Sequence, residues 1–170
     1  LESLGAKINI GHDPKNIYDL DLLVYSSVVS TNNSEVKEAI RQNITVLRRS
    51  EILADIIKLK NGIAIAGTHG KTTTTSLVAT ILKENNLDPT YIIGGIVKNL
   101  EGHAHVGEGK LFVVEADESD GTFLSLNPVI AGVTNIDFDH LDYYKTEENL
   151  IGAFNEFSNR VPFYGKIVLN

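Results

Sequence analysis

The sequence predicts an α/β fold with a mostly parallel sheet, on three observations. Short apolar runs of strand length alternate with segments of helical periodicity along the whole chain. The run at 63–66 stops at a glycine turn, Gly67-Thr68-His69-Gly70-Lys71-Thr72, and a helical pattern begins directly after it. Two further apolar runs, at 111–114 and 128–134, each deliver polar and acidic residues at their ends. Buried strands with chemistry massed at their carboxyl ends are what open parallel sheets produce.

Taken in order, residues 1–5 read as the tail of a helix capped by Gly5, and 7–10 as a short strand before the turn-rich Gly11-His12-Asp13-Pro14. The run 21–29 opens as a strand buried on both faces, with Ser26 and Ser27 near its end. Those hydroxyls suit either loop capping or contact with a phosphate or sugar. A polar stretch at 30–34 offers an N-cap to a helix over 35–43, with Val36, Ala39 and Ile40 on its buried face. A strand at 44–47 follows, then an amphipathic helix from Ser50 to about Lys60.

Asn61-Gly62 breaks that helix and is the expected domain boundary. Residues 1–61 form part of a Rossmann-like domain, and 62–170 begin a second α/β domain. The helix after the glycine turn is expected over 72–86, burying Leu77, Val78, Ile81 and Leu82. A strand at 91–93 precedes a loop over 98–110, in which His103 and His105 read as exposed rather than metal-binding, for want of a third ligand. The chain closes with an amphipathic helix over 147–158 and an apolar strand at 166–170. A start at Leu1 and a terminal strand with nothing after it suggest a piece of a larger protein.

The glycine turn carries the chemistry. Gly67 and Gly70 let backbone N–H groups approach an anion, and the helix N-terminus adds unpaired donors and the positive end of its dipole. Lys71 supplies a point charge for the β- and γ-phosphates, and Thr72 a hydroxyl for Mg²⁺. The match is to the shorter form Gly-x-x-Gly-Lys-[Ser/Thr], because Ile65 stands where the longer motif has its first glycine. A plain glycine turn is the competing reading. It loses ground because the run Glu115-Ala-Asp-Glu-Ser-Asp120, at the end of another buried strand, is costly unless a cation or donor sits among the carboxylates. The strand at 128–134 similarly delivers Asn135, Asp137, Asp139 and His140.

Composition narrows the classes. At 42% hydrophobic and 22% charged, the 170-residue chain is long enough for a real core. A net charge of -7 disfavours nucleic acid, and no apolar run approaches membrane-spanning length. There is no signal-peptide pattern, and the absence of cysteine excludes thiolate sites while permitting a cytoplasmic location.

The motifs Gly67-Thr-His-Gly-Lys-Thr-Thr-Thr-Thr75, Glu115-Ala-Asp-Glu-Ser-Asp-Gly-Thr-Phe123 and Asn135-Ile-Asp-Phe-Asp-His-Leu-Asp142, in that order, resemble the Mur ligases of peptidoglycan synthesis. Ser26-Ser27 and Arg48-Arg-Ser-Glu51 resemble that family's nucleotide-sugar domain, so the likeness spans nearly the whole chain. It implies an ATP- and Mg²⁺-dependent amide-forming ligase, and the alanine-adding branch most closely. There UDP-N-acetylmuramate is activated as an acyl phosphate and attacked by L-alanine. By motif, residues 67–73 (Gly67, Thr68, His69, Gly70, Lys71, Thr72, Thr73) would hold ATP, with Lys71 on the β/γ-phosphates and His69 left without an assigned contact. Thr72 and Glu115 would hold a first Mg²⁺, Glu115 and His140 a second. Ser26, Ser27 and Asn135 would face substrate or orient its loop.

The helix at 150–160 lacks the lysine that the later-acting branches carry carbamylated, which agrees with the alanine branch. The glycine fingerprint for the UDP diphosphate, most of the adenine pocket and the domain carrying the amino-acid site are missing, so the chain alone is expected to be inactive. Alternatives are a recycling branch that adds a tripeptide to the same nucleotide sugar, and a nucleotide-binding module without ligase activity.

Overall fold

The computed structural model describes residues 1–95, 100, 102–139 and 141–170, and it divides into two compact units, Leu1–Ile52 and Leu53–Asn170. In the first unit, strands β1 (Leu22–Tyr25) and β2 (Thr45–Arg48) pair in parallel, with Leu22 opposite Thr45 and Tyr25 opposite Arg48. Helix α1 (Ser34–Arg41) connects them. It starts where Asn33 accepts a hydrogen bond from Glu35 N–H and buries Val36 and Ala39. Ile40, expected on that face, is 59% exposed, and 7–10 forms no strand.

Helix α2 (Arg49–Ile57) is opened by a back-bond from the Glu51 carboxylate, which accepts from Arg48 N–H at 2.6 Å. The chain then enters β3 (Asn61–Ala66), so Asn61 and Gly62, expected just before the strand, are its first two residues. The parallel strands of the second unit continue with β4 (Thr90–Ile92), β6 (Leu111–Glu115), β7 (Ile130–Val133) and β8 (Lys166–Leu169); β5 (Ala104–His105) pairs antiparallel with β4. Across the sheet the order is β5-β4-β6-β3-β7-β8. This puts β3 in the middle with β6 and β7 as its neighbours.

Alternate residues of β3 face opposite ways, and each face has its own core. Ala64 and Ala66, with Phe112, Val114, Ala131 and Val133, meet Leu150, Phe154 and Phe157 of helix α5 (Glu147–Asn159) and Phe123 from the turn after β6. Helix α5 starts at Thr146, which accepts from Asn149 N–H, and is preceded by the short α4 (Leu141–Tyr144). Ile63 and Ile65, with Tyr91, Ile93 and Val113, face helix α3 (Lys71–Glu84).

Helix α3 buries only half of the face expected of it: Val78 and Leu82 pack, partly buried, against the core around Ile63 and Ile65. Leu77 and Ile81 are 58% and 60% exposed, while Thr75, Ser76 and Ala79 are buried. Small side chains on the sheet side let the helix sit close to the strands, and the larger pair falls on the opposite side of the turn. His105 also departs from expectation. It lies in β5, stacks on the Tyr91 ring at 5.5 Å and bonds Asp88 at 3.1 Å, while His103 is exposed. Among the described residues no cluster of three or more metal-ligating side chains occurs, and no helix is long and apolar enough to cross a membrane.

Candidate functional site

In the second unit five parallel strands present their carboxyl ends along one edge of the sheet, and the residues predicted for the nucleotide loop, Glu115 and Asn135 fall there. After β3 the chain turns through Gly67, with φ 129°, and Gly70, with φ 81°, and enters α3. A Cβ on Gly67 would overlap Thr134 Oγ1 and lie 2.9 Å from Asn135 O, so only glycine lets the turn pass this close to the end of β7. The N-cap of α3 is Gly70, and no side chain caps the helix. Its first-turn N–H groups at Lys71, Thr72 and Thr73 therefore remain available to an anion, where the helix dipole adds to them.

The segment after β7 clamps the turn from the side. Asn135 Oδ1 accepts from His69 N–H and its Nδ2 donates to His69 O, both at 2.9 Å. Asn135 O accepts from Thr68 N–H at 3.1 Å, and Thr134 Oγ1 donates to His69 O at 2.6 Å. The Thr68 hydroxyl accepts from Asp137 N–H and donates to Asp137 O. The His69 imidazole is exposed, with Nε2 3.8 Å from an Asp137 carboxylate oxygen. Asn135 thus shapes the loop itself.

On the other side, Glu115 ends β6. Its Oε1 accepts from Gly94 N–H at 2.8 Å, and its Oε2 accepts from Thr72 Oγ1 at 3.1 Å. A hydroxyl and a carboxylate meeting beside the open end of a helix make a pair of hard oxygen donors. Mg²⁺ is held by one or two such groups while retaining water and phosphate oxygens in its remaining positions, so these residues fit it. Gly95 leaves room here, because a Cβ on it would lie 2.8 Å from Thr72 Cγ2.

Lys71 turns inward. Its ammonium donates to Gly67 O at 2.7 Å and to Glu118, 3.0 Å from Oε1 and 2.8 Å from Oε2, with Thr68 O at 3.4 Å. Tyr144 Oη donates to Glu118 O at 2.5 Å, and burial pushes the phenol well above its ordinary range. The sequence singles out neither Glu118 nor Thr134. Glu118 is one of four carboxylates in six residues, and nothing in that run distinguishes the buried one from its neighbours.

The structure therefore brings together Gly67, Thr68, His69, Gly70, Lys71, Thr72, Glu115 and Asn135, with Thr73 in the first turn of the helix. His140 lies outside the described residues. Ser26 and Ser27 sit in the first unit directly after β1, in a turn where Val29 N–H donates to Ser26 O.

Comparison with known proteins agrees with this layout. Residues 65–170 match the Mur ligase middle domain, and residues 1–61 match the profile described as the Mur ligase family catalytic domain. A UDP-N-acetylmuramate--L-alanine ligase from Aquifex aeolicus is 54% identical over 170 residues, covering 100% of this chain and 37% of the relative. The crystal structure of a UDP-N-acetylmuramate-alanine ligase from Thermotoga maritima is 33% identical with a TM-score of 0.87, covering 99% of this chain and 39% of that one. A UDP-N-acetylmuramate:L-alanyl-gamma-D-glutamyl-meso-diaminopimelate ligase from Neisseria meningitides is 27% identical with a TM-score of 0.88, covering 99% and 58%. The chain thus spans little more than a third of the length of the first two relatives. On the match over residues 65–170 and the glycine turn, acidic strand end and asparagine clamp found within it, this chain belongs to the Mur ligase family.

Proposed function

We propose that this chain carries the ATP-handling machinery of a ligase that joins L-alanine to the carboxylate of UDP-N-acetylmuramate. Residues 1–61 are the C-terminal part of a domain that binds the nucleotide sugar through the region of Ser26 and Ser27. Residues 62–170 begin the domain that binds ATP. The observation that carries the reading is the meeting of Thr72 and Glu115 beside the uncapped N-terminus of α3, supported by 54% identity to a relative that bears that ligase's name.

The chemistry follows from the residues. Phosphoryl transfer needs positioning and charge neutralisation more than a protein nucleophile. The first-turn N–H groups of α3 and the Lys71 ammonium bind the β- and γ-phosphates, and Asn135 holds the loop in shape for them. Thr72 and Glu115 would hold Mg²⁺, with Glu115 and His140 as donors for a second ion, and the metal would supply charge neutralisation to the phosphate oxygens. The substrate carboxylate oxygen bonds to the γ-phosphorus as the bond to ADP breaks. The alanine amine then attacks the acyl carbon, and phosphate leaves with the former carboxylate oxygen. ATP supply and the lack of a membrane-crossing helix among the described residues are compatible with a cytoplasmic setting.

A second reading, transfer of a tripeptide to the same nucleotide sugar, is favoured by the Neisseria structure's TM-score of 0.88. Phosphate release by the full-length protein with UDP-N-acetylmuramate separates the two. The first reading expects release with L-alanine and little with the tripeptide. The reverse result selects the second, and release with neither rejects both.

A further inference from the structure

The acidic run after β6 contains one carboxylate unlike the rest. Asp117 and Asp120 use theirs on local turns, accepting from Ser119 N–H and Thr122 N–H. Glu118 is 0% exposed and lies against the Lys71 ammonium. Its main chain is fixed separately, its carbonyl accepting from Gly121 N–H at 3.1 Å and from Tyr144 Oη. A buried carboxylate is costly unless paired, and a lysine reaching over a glycine loop otherwise samples many rotamers. Each group answers the other's need.

We propose that Glu118 is a positioning residue for Lys71. It holds the ammonium above the loop before nucleotide arrives, so that the lysine meets the phosphates already placed. This rests on reading the loop as a nucleotide site. An ammonium has three donors. Glu118 and Gly67 O hold the lysine by the short contacts, and the 3.4 Å contact to Thr68 O is the one a phosphate oxygen replaces. The carboxylate therefore helps nucleotide binding, although its own charge repels phosphate.

The test uses the full-length protein and four forms: wild type, Glu118→Gln, Lys71→Ala and the double variant. Calorimetry gives Kd for a non-hydrolysable ATP analogue, and steady-state kinetics give KM for the nucleotide sugar. Glu118→Gln should weaken analogue binding about tenfold, the loss of one charge-assisted contact, and leave KM for the nucleotide sugar unchanged. Glu118→Asp should recover most of that affinity, since the flexible lysine can follow a shorter carboxylate. In the Lys71→Ala background Glu118→Gln should cause no further loss. Unchanged or tighter binding by Glu118→Gln, or an equal loss in both backgrounds, overturns the proposal while leaving the nucleotide site standing. Wild-type affinity in Lys71→Ala overturns both. Should Glu118→Gln fail to fold, Glu118→Met, a side chain of similar length without the charge, measured in the two Lys71 backgrounds decides between the same outcomes.

Discussion

Gly67→Ala should disable the nucleotide site and destabilise the second unit. Gly67 has φ 129°, a conformation that L side chains rarely adopt. The new Cβ would overlap Thr134 Oγ1 and stand 2.9 Å from Asn135 O and 3.0 Å from Asn135 N, where ordinary contact begins at 3.4 Å. Thr134 cannot turn aside freely, because its hydroxyl holds His69 O. Nor can Asn135 withdraw without breaking its bond from Thr68 N–H and the two side-chain bonds to the His69 peptide. Backbone strain of about 1–3 kcal/mol adds to about 1–3 kcal/mol for overpacking, so the variant should lose roughly 2–6 kcal/mol. Urea denaturation of the full-length protein measures this loss, and titration with an ATP analogue measures affinity, expected to fall at least about a hundredfold, the worth of two to three kcal/mol. Adding Thr134→Ala removes the side-chain overlap but not the main-chain one, and should restore part of the stability only. A Gly67→Ala protein with the wild-type midpoint and affinity would refute the close-approach argument.

Three other perturbations probe the metal site, the core and the first unit separately. Glu115→Gln leaves an amide where Thr72 and Gly94 meet a carboxylate; the Mg²⁺ concentration for half-maximal activity should rise about tenfold or more, and a superimposable Mg²⁺ titration would remove Glu115 from the metal site. Phe157 is 0% exposed with the Phe123 ring 5.1 Å away, so Phe157→Ala should cost about 3–5 kcal/mol in chemical denaturation, and a loss below about 1 kcal/mol would show that the core is looser than its geometry. In the first unit, hydrogen bonds from His12 and then Asn16 hold the Glu35 carboxyl below its ordinary 4.5. A depressed folded value contributes stability above the unfolded value that is lost as the pH falls through the folded one. Unfolding midpoints of the wild type should therefore drop below pH 4.5 more steeply than those of Glu35→Gln, whereas parallel profiles would mean that the carboxylate adds nothing.

Much of the site is legible in the sequence because glycine spacing and strand-end placement are local signals. Gly67, Gly70, Lys71 and Thr72 stand in a short motif whose backbone demands are visible in the letters, and Glu115 and Asn135 follow buried runs directly. Parallel order then brings them to one edge without further information. What is not legible depends on contacts between distant segments. Nothing local distinguishes Glu118 from Asp117 or Asp120, since its burial comes from packing against Lys71 and Tyr144. Apolar periodicity finds Val78 and Leu82, which pack against the core, but misplaces Leu77 and Ile81, because size rather than apolarity decides which side of α3 fits closely against the sheet; Thr75 and Ala79 are buried where Leu77 and Ile81 are not. His105 is held by Asp88 and Tyr91, partners 17 and 14 residues earlier, which a loop reading cannot supply.

The proposal that γ-phosphate is transferred to a substrate carboxylate has a direct isotopic test. UDP-N-acetylmuramate labelled with ¹⁸O in its lactyl carboxylate is turned over by the full-length protein with ATP and L-alanine, and the released phosphate is analysed by mass spectrometry. One labelled oxygen in the phosphate is the expected result, because that oxygen bonds to phosphorus before the amine displaces it. Unlabelled phosphate, with amide formed at the normal rate, would contradict phosphoryl transfer at Lys71, Thr72 and Glu115.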